Sequence, residues 1–327
     1  MRQYFSIPPF FSYFPTIPKI HRIMNSLILP PHLEKGDKIY IISPSSRIDP
    51  RFLKGAKEMF QQWGYRVVMG KHAKAQMGAY AGSIKQRLAD LQKAMDDPDA
   101  KVIFCSRGGY GAVHLIDQLD FTAFHQHPKW LVGFSDITAL HNRLQYEGFA
   151  SLHAPMARHL TVEAPDDVCT LHLKHILEGK LPQYSCAKHK LNRKGEATGM
   201  LRGGNMAVAH GLSGSAYDIP AEGTVLFIED IGERPHAIER MMYNLKLKGT
   251  LARLSGLIVG QFTEYRETEP PMMTVYESIA SLVKEYDYPV CFDFPVGHVA
   301  CNLPLINGCM VDFKVDSKGA SLSFRAE

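Results

Sequence analysis

The sequence has no unbroken apolar run of about 18 residues, which excludes a membrane-spanning helix. Its six cysteines, Cys105, Cys169, Cys186, Cys291, Cys301 and Cys309, include no C-x-x-C pair, so neither a zinc site nor a disulfide framework is indicated. Several stand in apolar stretches such as Val102-Ile103-Phe104-Cys105, the setting of buried free thiols in a reducing compartment. A cytoplasmic location is expected. Charge of one sign is also scarce: Lys plus Arg exceed Asp plus Glu by 37 − 33 = 4, without a long basic block. Nothing therefore points to nucleic acid as a partner. Tryptophan is confined to Trp63 and Trp130. What is present is an ordinary globular mixture, 45% hydrophobic and 21% charged, which excludes wholesale disorder. At roughly 150 residues per domain, the 327 residues predict about two domains with cores that need no metal or disulfide staple.

Residues 1–23 are set apart by Pro8, Pro9, Pro15 and Pro18 among Phe5, Phe10, Phe11 and Phe14. These prolines interrupt the apolar stretch that a signal peptide needs, and no small-residue cleavage site follows. The segment reads as a loose arm or a mispredicted start, with Met24 expected as the initiator.

From Lys38 onward, short apolar segments alternate with amphipathic ones. Lys38–Ile42 reads as a strand, followed by the turn Ser43-Pro44-Ser45-Ser46. Asp49 is an expected N-cap with Pro50 at the first helical position, and Phe52, Leu53, Ala56, Met59, Phe60 and Trp63 recur at helical spacing up to Gly64. Further strands are expected over 66–69, 101–105 and 130–134, with a helix from about Ser83 to before Pro98. Strands separated by helices of this length predict a doubly wound α/β domain with a parallel sheet, ending near residue 160. Residues 161–195 read as a polar connector with one short helix. A second mixed α/β domain is expected over 196–327, with strands at 224–229, 256–259, 290–292, 310–313 and 321–324 and a helix over 235–247.

Four segments carry candidate chemistry. Trp130-Leu-Val-Gly-Phe-Ser135-Asp136 runs from a strand into a helix, which lifts Ser135 above the sheet beside N–H groups at a helix start. Gly133 fits half of a G-x-S-x-G elbow, but Ile137 takes the last glycine position; read alone, Ser135 or Asp136 is more often a simple N-cap. Cys105-Ser-Arg107-Gly108-Gly109-Tyr110-Gly111 also ends a strand and matches neither a P-loop nor a dinucleotide fingerprint, so no nucleotide cofactor is indicated. It suits an oxyanion-hole loop, or a tight turn. Glu229 ends a strand and is placed to orient a histidine, unless it, Asp230 and Glu233 merely favour the next helix N-terminus. His298 follows Gly297 after an apolar strand, one of 15 histidines in the chain. Together Ser135, Glu229 and His298 would make a nucleophile, an orienting acid and a general base.

These segments together resemble the LD-carboxypeptidase family of serine peptidases. The resemblance runs from about Leu33 to Phe313. It rests on Ser43-Pro44-Ser45-Ser46, Ser106-Arg-Gly-Gly-Tyr-Gly111, Gly133-Phe-Ser-Asp-Ile-Thr138, Leu201-Arg-Gly-Gly-Asn205, Glu229-Asp-Ile-Gly-Glu233 and Gly297-His298. By that resemblance Ser135 matches the nucleophile, Glu229 the acid and His298 the base, with an oxyanion hole from the backbone N–H groups of Gly109 and Asp136. It implies a Rossmann-like N-terminal domain without a nucleotide, a smaller β-rich swivelling C-terminal domain, no metal or other cofactor, and a homodimer. The implied reaction removes the terminal D-alanine from a murein tetrapeptide during cytoplasmic cell-wall recycling. Arg107 and Arg234 are candidates for the carboxylate of the leaving D-alanine, or braces for their loops. Two alternatives accompany this reading. One is a microcin C-type immunity hydrolase acting on aminoacyl or peptidyl nucleotide analogues, disfavoured because both tryptophans fall in the first domain; the other is a non-catalytic binder of cell-wall peptides.

Overall fold

The computed structural model describes residues 27–264 and 273–325, so the expectations for residues 1–23 and Met24 lie outside the described residues. The alternation takes shape as β1 (Lys38–Ile42), α1 (Pro50–Gln62), β2 (Arg66–Met69), α2 (Ile84–Asp96), β3 (Ala100–Cys105), α3 (Thr122–Gln126), β4 (Trp130–Gly133), α4 (Thr138–Tyr146), β5 (Ser151–His153), α5 (Ala157–Val162) and α6 (Val168–Leu177). There follow β6 (Gln183–Ala187), β7 (Gly195–Asn205), α7 (Met206–Gly211), β8 (Thr224–Ile231), α8 (Pro235–Leu247), β9 (Gly256–Thr263), α9 (Val275–Leu282), β10 (Val290–Cys291), β11 (Leu305–Asn307), β12 (Met310–Val315) and β13 (Gly319–Phe324).

Local chemistry accounts for the helices that frame the first sheet. The Asp49 side chain accepts the Arg51 N–H, with Pro50 opening α1, and Ser83 and Gln86 form a capping box on α2. α1 buries Leu53, Ala56, Met59 and Phe60, and the Phe60 ring meets Phe104 of β3 edge-on at 4.9 Å. Strands β3 and β4 are buried almost throughout, as a parallel sheet covered on both faces requires. The strand order is β2-β1-β3-β4-β5, all parallel, with β11 added antiparallel to β5. The order reverses between β1 and β3, so the crevice for a ligand opens at the carboxyl ends of β1, β3 and β4. All three loops singled out in the N-terminal half leave from those ends.

The second sheet runs β10-β9-β8-β7-β12-β13-β6. Strands β7 to β10 are parallel neighbours, whereas β12, β13 and β6 continue the sheet antiparallel. Its two ends curl toward one another: Arg193 and Val290 exchange backbone hydrogen bonds of 2.9 and 3.1 Å, and the Cys186 and Cys291 sulfurs approach to 3.4 Å. Along β8 the side chains alternate, Val225 and Phe227 joining the main core while Leu226 and Ile228 pack in a second cluster with Ile238 and Met242 of α8 and Ile279 of α9.

Four strands were not anticipated: β5, β6, β7 and β11. β6 and the start of β7 lie where a polar connector was expected, because their residues alternate exposed and buried with few apolar side chains. β11 comes from the C-terminal part of the chain but pairs with the first sheet. Three residues in register with a strand some 150 positions earlier leave no local signal. This crossing is fastened by polar contacts: Gln145 of α4 donates to Asn307 Oδ1 at 2.7 Å, Asn307 donates to the Gly203 carbonyl at 2.9 Å, and Arg202 donates to Gln145 at 2.8 Å. Among the described residues, no helix is long and apolar enough to cross a membrane.

Candidate active site

β4 delivers Ser135 directly onto a turn of left-handed backbone, with φ at 64°. A non-glycine residue held there costs on the order of 1–2 kcal/mol, so the surrounding contacts must impose it. A 3-10 turn over Ser135–Ile137 then leads into α4. The isoleucine in place of the second glycine is explained by packing: a Cβ on Gly133 would lie 3.0 Å from the buried Ile137 side chain and 3.1 Å from Cys105. His141 on α4 locks the arrangement by donating from Nε2 to the Gly133 carbonyl at 2.8 Å and accepting from Ser151 Oγ at Nδ1, also at 2.8 Å. Complete burial pushes this imidazole down to about 4, which keeps it neutral and fixes that tautomer.

The Asp136 side chain serves the site differently from a helix cap. Its buried Oδ2 accepts from Ser45 Oγ at 2.6 Å and from the Ala112 N–H at 2.8 Å. One carboxylate thereby ties together the loops after β1, β3 and β4. Ser43 and Ser106 hydroxyls add a 2.7 Å bond between the first two.

Glu229 and His298 arrive from the second sheet. Glu229 continues the β8 alternation on the face of Val225 and Phe227, and the β8–β9 register shifts beside it, two residues of β9 (Gly260 and Gln261) standing opposite this one. Glu229 is fully buried, and its Oε2 stands 2.8 Å from His298 Nδ1; Oε1 has no hydrogen-bond partner among the described residues. His298 Nε2 lies 3.0 Å from Ser135 Oγ. The structure thus brings Ser135, His298 and Glu229, separated by up to 163 residues, into one hydrogen-bonded row. With an ionised carboxylate at Nδ1, that nitrogen carries the proton and Nε2 is free to accept from the serine hydroxyl. The loop presenting His298 is braced by the Gly297 N–H donating to Asn302 Oδ1 at 2.9 Å, and the Phe134 ring packs 4.8 Å from the imidazole. Gly297, at φ 126°, admits this turn, and a Cβ there would meet the Glu229 side chain at 2.9 Å.

Asp230 points away from Glu229's partner. It accepts from Asn205 Nδ2 at 2.9 Å and from the Ala207 N–H at 2.8 Å, capping α7, and burial pushes its carboxyl up to about 6. Neither acid caps α8, whose N-cap residue is Arg234 without a side-chain capping bond.

The remaining candidates differ in what they touch. Gly108 is the glycine pressed against Ser135: a Cβ on it would lie 2.7 Å from Ser135 Cβ, 3.0 Å from Oγ and 3.1 Å from the Asp136 nitrogen. Gly109, at φ 101°, faces Ser46 instead. Among the described residues neither the Gly109 nor the Asp136 N–H donates to a protein acceptor. Arg107 is exposed and donates to the Arg47 carbonyl at 2.8 Å, the bracing role weighed for it. Arg234 is exposed and makes no side-chain hydrogen bond or ion pair among the described residues. Sequence reasoning missed Asn302, His141 and the clamp on Ser45; Asn302 lay in plain view four residues after His298, but its bond to Gly297 depends on a loop conformation.

Family models for the LD-carboxypeptidase N-terminal domain and the LD-carboxypeptidase C-terminal domain match residues 39–154 and 198–313. A probable murein peptide carboxypeptidase of Bacillus subtilis is 31% identical over 301 residues, covering 89% of this chain and 93% of the relative. The murein tetrapeptide carboxypeptidase of Pseudomonas aeruginosa is 28% identical over 278 residues, covering 81% and 89%. The crystal structure of muramoyltetrapeptide carboxypeptidase from Oxalobacter formigenes has the same fold, with a TM-score of 0.81, 24% identity, and coverage of 88% of this chain and 99% of that one.

Proposed function

The chain belongs to the LD-carboxypeptidase family, and from that premise we propose that it is a serine carboxypeptidase that removes the terminal D-alanine from murein tetrapeptides. The observation that carries this reading is the position of His298, which bridges Ser135 Oγ at 3.0 Å and Glu229 Oε2 at 2.8 Å. Ser135 Oγ attacks the carbonyl preceding D-alanine as His298 Nε2 takes its proton. Glu229 holds the Nδ1–H and stabilises the imidazolium. The developing oxyanion is assigned to the Gly109 and Asp136 N–H groups, neither of which donates to a protein acceptor among the described residues. His298 then protonates the departing D-alanine nitrogen, and water attacking the acyl-serine under the same base releases the tripeptide.

The test is mass spectrometry of purified protein incubated with L-Ala-γ-D-Glu-meso-Dap-D-Ala. Loss of one D-alanine is expected. A folded protein that leaves this peptide intact overturns the reading; hydrolysis of an aminoacyl sulfamoyl-adenylate by that same protein would favour the nucleotide-analogue alternative.

Two substitutions probe the site further. Gly108→Ala sets a methyl against Ser135 Oγ and the Asp136 nitrogen, in the space the oxyanion needs. We expect a loss in kcat/KM of about 100-fold with the melting temperature little changed, as for an ångström-scale misplacement of a reacting group. Activity within about threefold of the parent would remove position 108 from the oxyanion pocket. Arg234→Ala is expected to raise KM about tenfold and leave kcat alone, the signature of a lost charge-assisted contact to the substrate carboxylate. An unchanged KM would exclude Arg234 from that role.

A further inference from the structure

Two cysteines meet beside the loop that presents His298. Cys169, the second residue of α6, is fully buried, and Cys301 is exposed at the tip of the loop three residues beyond His298; their sulfurs stand 3.6 Å apart. The two partners differ in freedom. Cys169 is anchored from both sides: Asp167 accepts the N–H groups of Cys169 and Thr170 at 3.0 Å, and α6 buries Leu173, Ile176 and Leu177 in the core. Cys301 rides on a short irregular loop closed by Leu303 N–H to the Pro295 carbonyl at 2.9 Å and Val299 N–H to the Gly297 carbonyl at 2.9 Å. That loop already meets α6 at the contact between the two sulfurs.

We propose that Cys169 and Cys301 form an oxidant-sensitive thiol pair, a modification site whose co-substrate is hydrogen peroxide and whose disulfide displaces His298. The exposed Cys301 thiolate attacks one peroxide oxygen; the O–O bond breaks, leaving a sulfenic acid on Cys301 and releasing water once the departing hydroxide takes up a proton. The Cys169 sulfur then attacks the Cys301 sulfur and expels hydroxide, which leaves as the second water with the Cys169 thiol proton. Two thiols are oxidised to one disulfide as one hydrogen peroxide is reduced. Burial and the neighbouring Cys301 raise the Cys169 thiol far above its ordinary range, which leaves the first attack to its exposed partner.

The consequence follows from distance. A disulfide bond is about 2.05 Å long, so sulfurs now 3.6 Å apart must converge by about 1.5 Å. The core holds α6, so the loop moves. His298, three residues away, depends on contacts of 2.8 and 3.0 Å. A shift of an ångström there costs about 10- to 100-fold in rate. The Cys186–Cys291 pair, at 3.4 Å across the ends of the second sheet, makes no hydrogen bond to Ser135, Glu229 or His298 among the described residues and is the internal comparison.

The loss of activity rests on the carboxypeptidase reading, whereas the disulfide does not, and the experiment separates them. The full-length protein is treated with hydrogen peroxide, alkylated, digested and mapped by mass spectrometry, and D-alanine release is measured before and after dithiothreitol. We expect a peptide joining Cys169 to Cys301, at least a tenfold fall in kcat/KM, and recovery on reduction. Cys301→Ser is expected to keep its activity through peroxide treatment. Cys169→Ser is expected to stop at a dimedone-reactive sulfenic acid on Cys301. The Cys186→Ser, Cys291→Ser double variant is expected to behave as the parent. Absence of the Cys169–Cys301 peptide overturns the site, and its presence with undiminished activity overturns the displacement of His298. A protein that forms the peptide yet releases no D-alanine even when reduced supports the thiol pair and counts against the carboxypeptidase reading alone.

Discussion

Ser135→Ala is expected to lower kcat/KM for the murein tetrapeptide by about 10⁴-fold or more while leaving the peptide bound. The substitution removes one oxygen and keeps the left-handed turn, the Asp136 clamp and the His298–Glu229 pair, none of which uses Oγ except the 3.0 Å contact to Nε2. The loss therefore reports chemistry rather than folding. Two measurements check it: D-alanine release by mass spectrometry, and calorimetric binding of the intact tetrapeptide to the variant. Rapidly quenched parent protein should carry the tripeptide acyl group on the peptide containing Ser135, and the variant should carry none. A variant that still turns over within about tenfold of the parent would remove Ser135 as nucleophile and leave an activated water as the attacking group.

Glu229→Gln should cost about 10³-fold in kcat, and the fold should tolerate it. Glu229 is fully buried with one oxygen on His298 Nδ1 and the other without a partner among the described residues. An amide in that space has two arrangements. Its oxygen can accept from Nδ1–H, which preserves the tautomer but strands the NH₂ where Oε1 now lies unpaired and gives the imidazolium no negative charge beside it. Alternatively its NH₂ faces Nδ1, which moves the ring proton to Nε2 and removes the acceptor that Ser135 needs. Both suppress proton transfer. Stability should move the other way, because a buried carboxylate with an orphaned oxygen is costly and a neutral amide less so. We expect a melting temperature equal to or above the parent's together with the fall in kcat. A variant that unfolds would instead make Glu229 a structural acid; one that keeps full activity would detach it from His298.

How much of this was legible in the chain depends on the range of the interaction. The helices α1 and α2 were readable because a cap, an apolar stripe and a stop act within one or two turns, and Asp49, Pro50, Ser83 and Gln86 do in the structure what their side chains predict. The buried strands β1, β3 and β4 were readable because a sheet covered on both faces demands continuous apolar runs. β6, the first half of β7 and β11 were not: their side chains carry little pattern, and their pairing is decided by what the rest of the chain has already assembled. The individual site loops were visible as strand ends bearing Ser135, Glu229 and His298, yet each had an equally good local explanation.

By itself, then, the sequence determined a two-sheet α/β protein with three strand-end loops carrying a hydroxyl, a carboxylate and an imidazole. It did so because periodicity, capping and turn chemistry are short-range. Only the tertiary structure decided that the imidazole stands within 3.0 Å of both the hydroxyl and the carboxylate. It also decided that Asp136 clamps three loops rather than capping a helix, that Gly108 and not Gly109 presses on Ser135, and that Cys169 and Cys301 face each other. Those outcomes depend on a register shift between β8 and β9 beside Glu229, on a register set by β11 across the two halves of the chain, and on a loop turned at Gly297. A residue's partners across more than 100 positions are fixed by the packing of everything between them, which no local pattern records.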